Sequence, residues 1–489
     1  MPVVKDMKNN SLITAVFITF LVSLIWESAY HPLSNSLYRI GRGSIQSEPI
    51  SVARLNRGLE ESFNKPDIHP AEAISVTNLN GAFSEQSHIL KDDATFRPRH
   101  NAITQGARAP SSSLHDVVFM VKQRNMDELT RILHDVSDPQ SSNYGNHLTL
   151  QEVLDLTSNP KSRDEVVAYL GTAGVEIVSE KHWGQSITAR APIHIWEKMF
   201  NTEFHTFSVD TDVANSYGNK DREFIRAKVY SVPKILDEHI AMVLKTVQMP
   251  DLVTKDIPAE PYSGRKLTDK TPVFFNTYTT IALINKRYEI PDHVGHPQAT
   301  QTAVQLYNYM FSPEDLTEFQ KKFNMTYSQP EVTIENADYV QSQQYCFDNF
   351  GKCSEPAIDY QYMMGISNSP TYLYHSDYES YAQTLLGLIA QRASRGQDPP
   401  LIINISYGIN EKYVSVADAM LFQETAIKLS ALGCTIIVSA GDDGVIGREN
   451  RDNNICDYGS RFPVSCPYVV SVGSTQVGAG PLHFDEYLI

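Results

Sequence analysis

The sequence predicts two ordered regions in tandem, a small α+β domain over residues 114–250 and a larger α/β domain with a parallel sheet over residues 273–489. Three observations carry this. Strand and helix patterns alternate between Leu114 and Pro250, as in a compact α+β unit. Residues 251–272 are polar and hold Pro258, Pro261, Gly264, Arg265 and Lys266, a linker composition. Beyond them, near-continuous apolar runs alternate with amphipathic segments, and strands apolar on both faces belong to a parallel sheet covered on each side.

In the first region Asp116–Val121 reads as a strand. Leu129, Ile132, Leu133 and Val136 follow at helical spacing. Thr149 and Glu152 form a capping box, and another helix runs from Arg163 to Ala173 before Gly174. Strands near Val175–Ser179 and Ser186–Ala191, a helix near Ile193–Phe200 and a strand pair leading into Tyr230–Pro233 complete it. In the second region Gln301–Met310, Pro313–Phe323, Tyr378–Ser394 and Ala417–Leu432 read as helices. Leu401–Tyr407, Thr435–Val438 and Tyr468–Val472 read as buried strands.

The ends and the composition bound the compartment and the partners. Lys5 and Lys8 precede an apolar run from Leu12 to Trp26, too short for a comfortable span of a hydrocarbon core about 30 Å thick. Residues 1–29 therefore read as a signal peptide or an uncleaved signal anchor, and only the anchor would engage a membrane. Residues 30–113 lack periodicity and read as a disordered linker. The 489 residues carry 41 basic against 57 acidic side chains, a net charge of −16 with no dense basic stripe. Nucleic acid is excluded as a partner, because phosphate contacts need a basic face.

Five cysteines suit a secretory compartment. Cys346 and Cys353 bracket one polar loop and Cys456 and Cys466 another, while Cys434 reads as a buried free thiol. Pairing within each bracket is one connectivity among several. No Cys-x-x-Cys motif is present for zinc.

Two places carry chemistry. Ser354 reads as a helix cap with Pro356 in the first turn, which makes Glu355 and Asp359 neighbours on one face, about 5–6 Å apart at Cβ. Like charges at that distance repel, and close carboxyls share a proton. By itself the spacing is common on solvated helices. At the second place the strand Thr435–Val438 runs into Ala440, Gly441 and Asp442, which sets a carboxyl at a strand's C-terminal end. An ordinary acidic loop fits as well. An EF-hand does not, since neither Asp442 nor Asp443 opens its ligand register.

Taken together and in this order, the motifs resemble the sedolisin (serine-carboxyl peptidase) family, on its tripeptidyl-peptidase branch. Residues 114–250 resemble its activation prodomain through Ser137–Pro139, Asn143–Gly145, Met199–Phe200, Phe204–His205 and Tyr230–Pro233. The resemblance implies a ferredoxin-like prodomain that chaperones and inhibits, then a subtilisin-like peptidase domain. The family's Glu-x-x-x-Asp-x-Gln motif maps onto Glu355, Asp359 and Gln361. Its Ser-Gly-Asp-Ser-Gly loop maps onto Ala440–Gly444, with departures at Ala440 and Asp443, and implies an oxyanion role for Asp442. Asn404–Gly408 resembles its Ser-(Trp/Tyr)-Gly strand and Tyr288–Pro291 the start of the mature domain.

Its nucleophilic serine belongs to a Gly-Thr-Ser-Ala-type turn, which the resemblance places beyond Ile489. Ser474 instead matches a post-strand segment. The family's calcium ligands are expected to lie beyond this chain too. The implied protein is a secreted or lysosomal/vacuolar precursor acting on peptides or proteins, its prodomain the intramolecular inhibitor and the truncated chain inactive. Two alternatives stand beside it: a non-catalytic binding or inhibitory protein using the prodomain, and a glycosidase using the Glu355–Asp359 carboxyl pair.

Overall fold

Two strands open the described part of the chain, β1 (His88–Asp92) and β2 (Ile103–Arg108). Both lie where the sequence predicts a disordered linker, so that expectation is corrected at these positions. The computed structural model describes residues 87–92, 103–209, 223–249, 280–291, 295–306, 309–325, 331–334, 339–376, 380–442, 444–447, 450, 455–473, 475–477 and 486–488. The predicted signal segment and the linker 251–272 lie outside these residues.

Next come β3 (Leu114–Val121), α1 (Met126–Ser137), α2 (Leu150–Thr157) and α3 (Pro160–Thr172). Helix α1 buries Leu129, Leu133 and Val136 along one stripe, as its spacing predicts. The capping box at α2 is formed: the Glu152 N–H donates to Thr149 Oγ1 at 3.3 Å, and the Thr149 N–H donates to the Glu152 carboxylate at 2.8 Å. Then follow β4 (Glu176–Lys181), β5 (Ser186–Pro192), α4 (Ile193–Phe200), β6 (Phe204–Val209), β7 (Glu223–Ala227), β8 (Tyr230–Pro233), the single turn α5 (Lys234–Asp237) and β9 (Ile240–Leu244).

These strands form an antiparallel sheet in the order β4-β5-β3-β9, a three-stranded sheet β2-β6-β7 and the pair β1-β8. Phe119, Trp196, Phe200 and Tyr230 fill the core between sheet and helices. Trp196 stacks on Phe200 at 5.5 Å and donates its indole N–H to the His115 carbonyl at 2.9 Å. Strand β2 buries only Ile103. Its backbone pairing with β6 holds it, which is why no apolar alternation announces it.

The second unit begins with α6 (Ile281–Arg287), β10 (Gln301–Gln305), α7 (Pro313–Lys322), β11 (Glu331–Ile334), α8 (Gln343–Asp348) and α9 (Phe350–Ile366). It continues through β12 (Thr371–His375), α10 (Tyr381–Ser394), β13 (Ile402–Ile405), β14 (Ile409–Asn410), α11 (Val416–Ala431) and β15 (Thr435–Ser439). Last come β16 (Arg461–Phe462), β17 (Val470–Val472), β18 (Thr475–Val477) and β19 (Glu486–Leu488). Six strands make the predicted parallel sheet, in the order β11-β12-β10-β13-β15-β17.

One helix expectation fails here. Gln301–Met310 reads as helical, yet Gln301–Gln305 is the fully buried strand β10. Tertiary hydrogen bonds explain it: Gln301 donates to the Thr371 hydroxyl at 2.8 Å and Gln305 to Asp359 at 2.6 Å, so both amides are satisfied in the interior. The chain runs from β10 to β12 on one side and later adds β13 on the other. That reversal makes the carboxyl ends of β10 and β13 a topological switch point, the place where ligands bind in open α/β sheets.

The two units share a core. Val118, Met120, Met242 and Leu244 of the first belong to one apolar cluster with Leu385, Leu386, Leu421 and Phe422 of the second. Leu129, Leu133 and Val153 pack on Ile427 and Ala431 of α11.

Candidate active site

Helix α9 starts earlier than the sequence predicts. Its cap position is Asn349, so Ser354 is not a cap and Pro356 lies inside the helix. A proline has no N–H for the carbonyl four residues back. The Lys352 carbonyl instead accepts the Met310 N–H at 2.8 Å, which keeps the helix continuous through Glu355 and Asp359. A Cys346–Cys353 disulfide, with a Cα–Cα distance of 5.4 Å, ties α8 to the first turn of α9. The other bracket does not close: Cys456 is exposed and free, whereas Cys466 is turned into the core. Cys434 is a buried free thiol.

Asp359 is 0% exposed and receives three donors. Gln305 Nε2, at the end of β10, reaches Oδ2 at 2.6 Å. Ser406 Oγ, just past β13, donates to Oδ1 at 2.8 Å, and Asn404 Nδ2 approaches the same oxygen at 3.3 Å. The Tyr407 hydroxyl donates to Gln305 Oε1 at 2.5 Å. That bond orients the Gln305 amide so that its N–H faces the carboxyl. Tyr360 is anchored alongside through its hydroxyl, 2.6 Å from the Ala303 carbonyl. Burial pushes Asp359 up to about 7, against the pull of Ser406, Gln305 and Asn404 on its ionised form.

Glu355 lies one turn earlier and is raised well above the usual carboxyl range. The largest cause is burial, then the Asp359 charge, then the Asp442 charge, with a hydrogen bond to Ser406 opposing them. The two carboxyls titrate as a pair that keeps a proton far longer than exposed acids do. The structure thus brings both Asp359 and Asp442 close enough for their charges to act on Glu355. Asp442 comes just past the end of β15, where the Ala440 N–H donates to the Val472 carbonyl at 2.8 Å. Gly441 turns the loop at φ +92°, and a Cβ there would sit 2.7 Å from Arg461 Cδ. The Arg461 guanidinium in turn donates to the Gly408 carbonyl, linking this loop to the end of β13.

Sequence reasoning misses Gln305 and reads Asn404–Gly408 only as a strand end, without linking Asn404 or Ser406 to Asp359. The Ser-Tyr-Gly strand end is the one signal that points to Ser406 and Tyr407. Asp443 and Ser474 lie outside the described residues. Among the described residues no group of three or more His, Cys, Asp or Glu side chains is arranged to hold a metal ion. No helix among them is long and apolar enough to cross a membrane.

Residues 101–249 match the model of the pro-kumamolisin activation domain. Tripeptidyl-peptidase 1 of Rattus norvegicus is 25% identical over 408 residues, covering 80% of this chain and 66% of the relative. A probable tripeptidyl-peptidase SED3 of Trichophyton verrucosum is 25% identical over 389 residues, covering 73% and 62%. This chain therefore spans about two thirds of the length of those curated relatives. A solved Pseudomonas sedolisin, a serine-carboxyl proteinase complexed with pseudo-iodotyrostatin, overlaps 40% of this chain and 53% of its own at 20% identity, with a TM-score of 0.28. The chain is thus similar over residues 101–249 to the pro-kumamolisin activation domain and, over most of its length, to tripeptidyl-peptidases.

Proposed function

We propose that the chain is the precursor of an acid-acting serine-carboxyl peptidase of the tripeptidyl-peptidase type. Residues 114–250 act as the inhibitory prodomain, 251–272 as the activation linker and 273–489 as part of a subtilisin-like peptidase domain. The single observation that supports it is the approach of Asp359 and Asp442 to Glu355, with Asp359 held by Gln305 at the end of β10 and Ser406 just past β13. In this reading Glu355 takes the proton of an attacking serine and returns it to the leaving amine. Asp359 holds Glu355 in place, as an aspartate orients the base of a triad. Asp442, protonated, donates to the tetrahedral oxyanion. The nucleophile lies outside the described residues. Residues 1–29 direct the protein into the secretory pathway, and acid triggers cleavage between Asp251 and Pro272.

The full-length gene product tests this on peptides with free amino termini, its products identified by mass spectrometry from pH 3 to 8. Release of tripeptides in acid is expected. Glu355→Gln, Asp359→Asn and Asp442→Asn should each lower kcat/KM by about 10²-fold or more. Wild-type turnover by Glu355→Gln would remove that carboxyl from the chemistry. An inert protein that binds and blocks another peptidase would favour the non-catalytic inhibitory alternative.

A further inference from the structure

Two glycines face one side chain where the strands of the site end. A Cβ on Gly441 would lie 2.7 Å from Arg461 Cδ, 2.9 Å from its Nε and 3.2 Å from its Cζ. A Cβ on Gly408 would lie 3.4 Å from Arg461 Nε and 3.7 Å from its Nη2. The arginine therefore fills the gap between the two backbones, with its stem against Gly441 and its guanidinium donating to the Gly408 carbonyl. Gly441 immediately precedes Asp442. Gly408 follows Ser406 and Tyr407, and Ser406 donates to Asp359 at 2.8 Å. One half-buried side chain thus joins the turn that carries Asp442 to the strand end that holds Asp359.

Arg461 stands on a firm base. Strand β16 pairs with β14, Arg461 opposite Asn410 and Phe462 opposite Ile409. The Arg461 carbonyl accepts the Ser465 N–H at 3.2 Å. Phe462 is buried edge-on against Tyr381 at 5.7 Å and Phe422 at 5.2 Å. A charged donor also makes a hydrogen bond about twice as strong as a neutral one. We propose that Arg461 is a positioning residue, a spacer between Gly441 and Gly408 that sets the distance of Asp442 from the Glu355–Asp359 pair. Its stem limits how closely the turn approaches β13, and its bond to Gly408 keeps the stem in that place. The use of this spacing in catalysis rests on the peptidase reading. The spacing itself does not.

The full-length gene product tests it in two arms. Hydrogen exchange reads the spacing without any activity. In Arg461→Ala the amides of Ala440 and Glu411, bonded in the native chain to the Val472 and Ser460 carbonyls, should exchange about tenfold faster. Those of β10 and β12 should keep their protection. Kinetics read its use: kcat on peptides should fall about 10–10²-fold with KM unchanged. Arg461→Lys, whose stem packs on Gly441 and whose ammonium reaches the Gly408 carbonyl, should restore both. Should the alanine variant fail to fold, Arg461→Met replaces it with the same two changes expected, because a thioether has no proton to donate. Unmoved exchange in a folded alanine or methionine variant overturns the spacer. So does exchange that rises equally across the parallel sheet, or a lysine variant that behaves like alanine. An active wild type whose Arg461→Ala form keeps its kcat removes the role in catalysis. If exchange rises locally and lysine restores it, yet the wild type hydrolyses no peptide at any pH, the spacer stands and the peptidase reading falls.

Discussion

Lys428 on α11 and Gln185 at the entry to β5 meet at 3.0 Å, an ammonium from one unit donating to a side-chain carbonyl of the other. Lys428 also donates to Gln123 at 2.5 Å and is only 4% exposed. Burial pushes it down to about 8, with Glu424 pulling the other way. Lys428→Ala would leave the buried Gln185 carbonyl and the half-buried Gln123 carbonyl short of a donor. We expect a loss of about 1–3 kcal/mol, read as a lower denaturation midpoint. An unchanged midpoint would show that the apolar contacts alone hold the two units.

Acid should act with opposite sign on the two units. Burial holds His115 and His182 of the first unit neutral, each pushed down to about 4 from 6.5. Their contribution to stability is present above pH 6.5 and lost as pH falls through about 4. Asp359 is raised from 3.8 to about 7, so its contribution is present below pH 3.8 and lost as pH rises through about 7. His375, pushed down to about 3, partly offsets Asp359 within the second unit. Hydrogen exchange at pH 7 and pH 4.5, corrected for intrinsic rates, should show β3 and β5 losing protection relative to β10 and β13. A uniform change across both units would contradict this.

Gln305 should set the acid limb of activity. It donates to Asp359 at 2.6 Å and favours the ionised form. Gln305→Leu removes that donor and raises Asp359 further, so the pair becomes doubly protonated at higher pH. The acid limb of the kcat/KM profile should move up by about one unit. An unmoved limb would take Gln305 out of the proton balance.

Glycosylation separates two sequons. Asn324 is exposed at the end of α7, whereas Asn404 is 1% exposed inside β13 and bonded to Asp359. Glycopeptide mapping should find sugar on Asn324 and none on Asn404. Sugar on Asn404 would be incompatible with the parallel sheet described here.

The legible parts of the site are those carried by local spacing. Glu355 and Asp359 sit four apart on a helix, and Asp442 follows an apolar strand through Gly441. The illegible parts are polar residues whose partners are distant in sequence. Gln305 reaches Asp359 across 54 positions and Ser406 across 47. Without those partners, the polar residues of Gln301–Met310 read as the outer face of a helix. The same logic hides β1, which is completed by Tyr230–Pro233 far along the chain.

The shared core has a kinetic consequence. While the backbone is continuous, Val118, Met120, Met242 and Leu244 find Leu421 and Phe422 at an effective concentration set by the tether. One cut between Leu244 and Ile281 leaves every contact in place but makes the association bimolecular. From that moment dilution becomes a variable, and the first unit can be lost by diffusion alone. A compartment that is both acidic and dilute would then complete what a single hydrolysed bond begins.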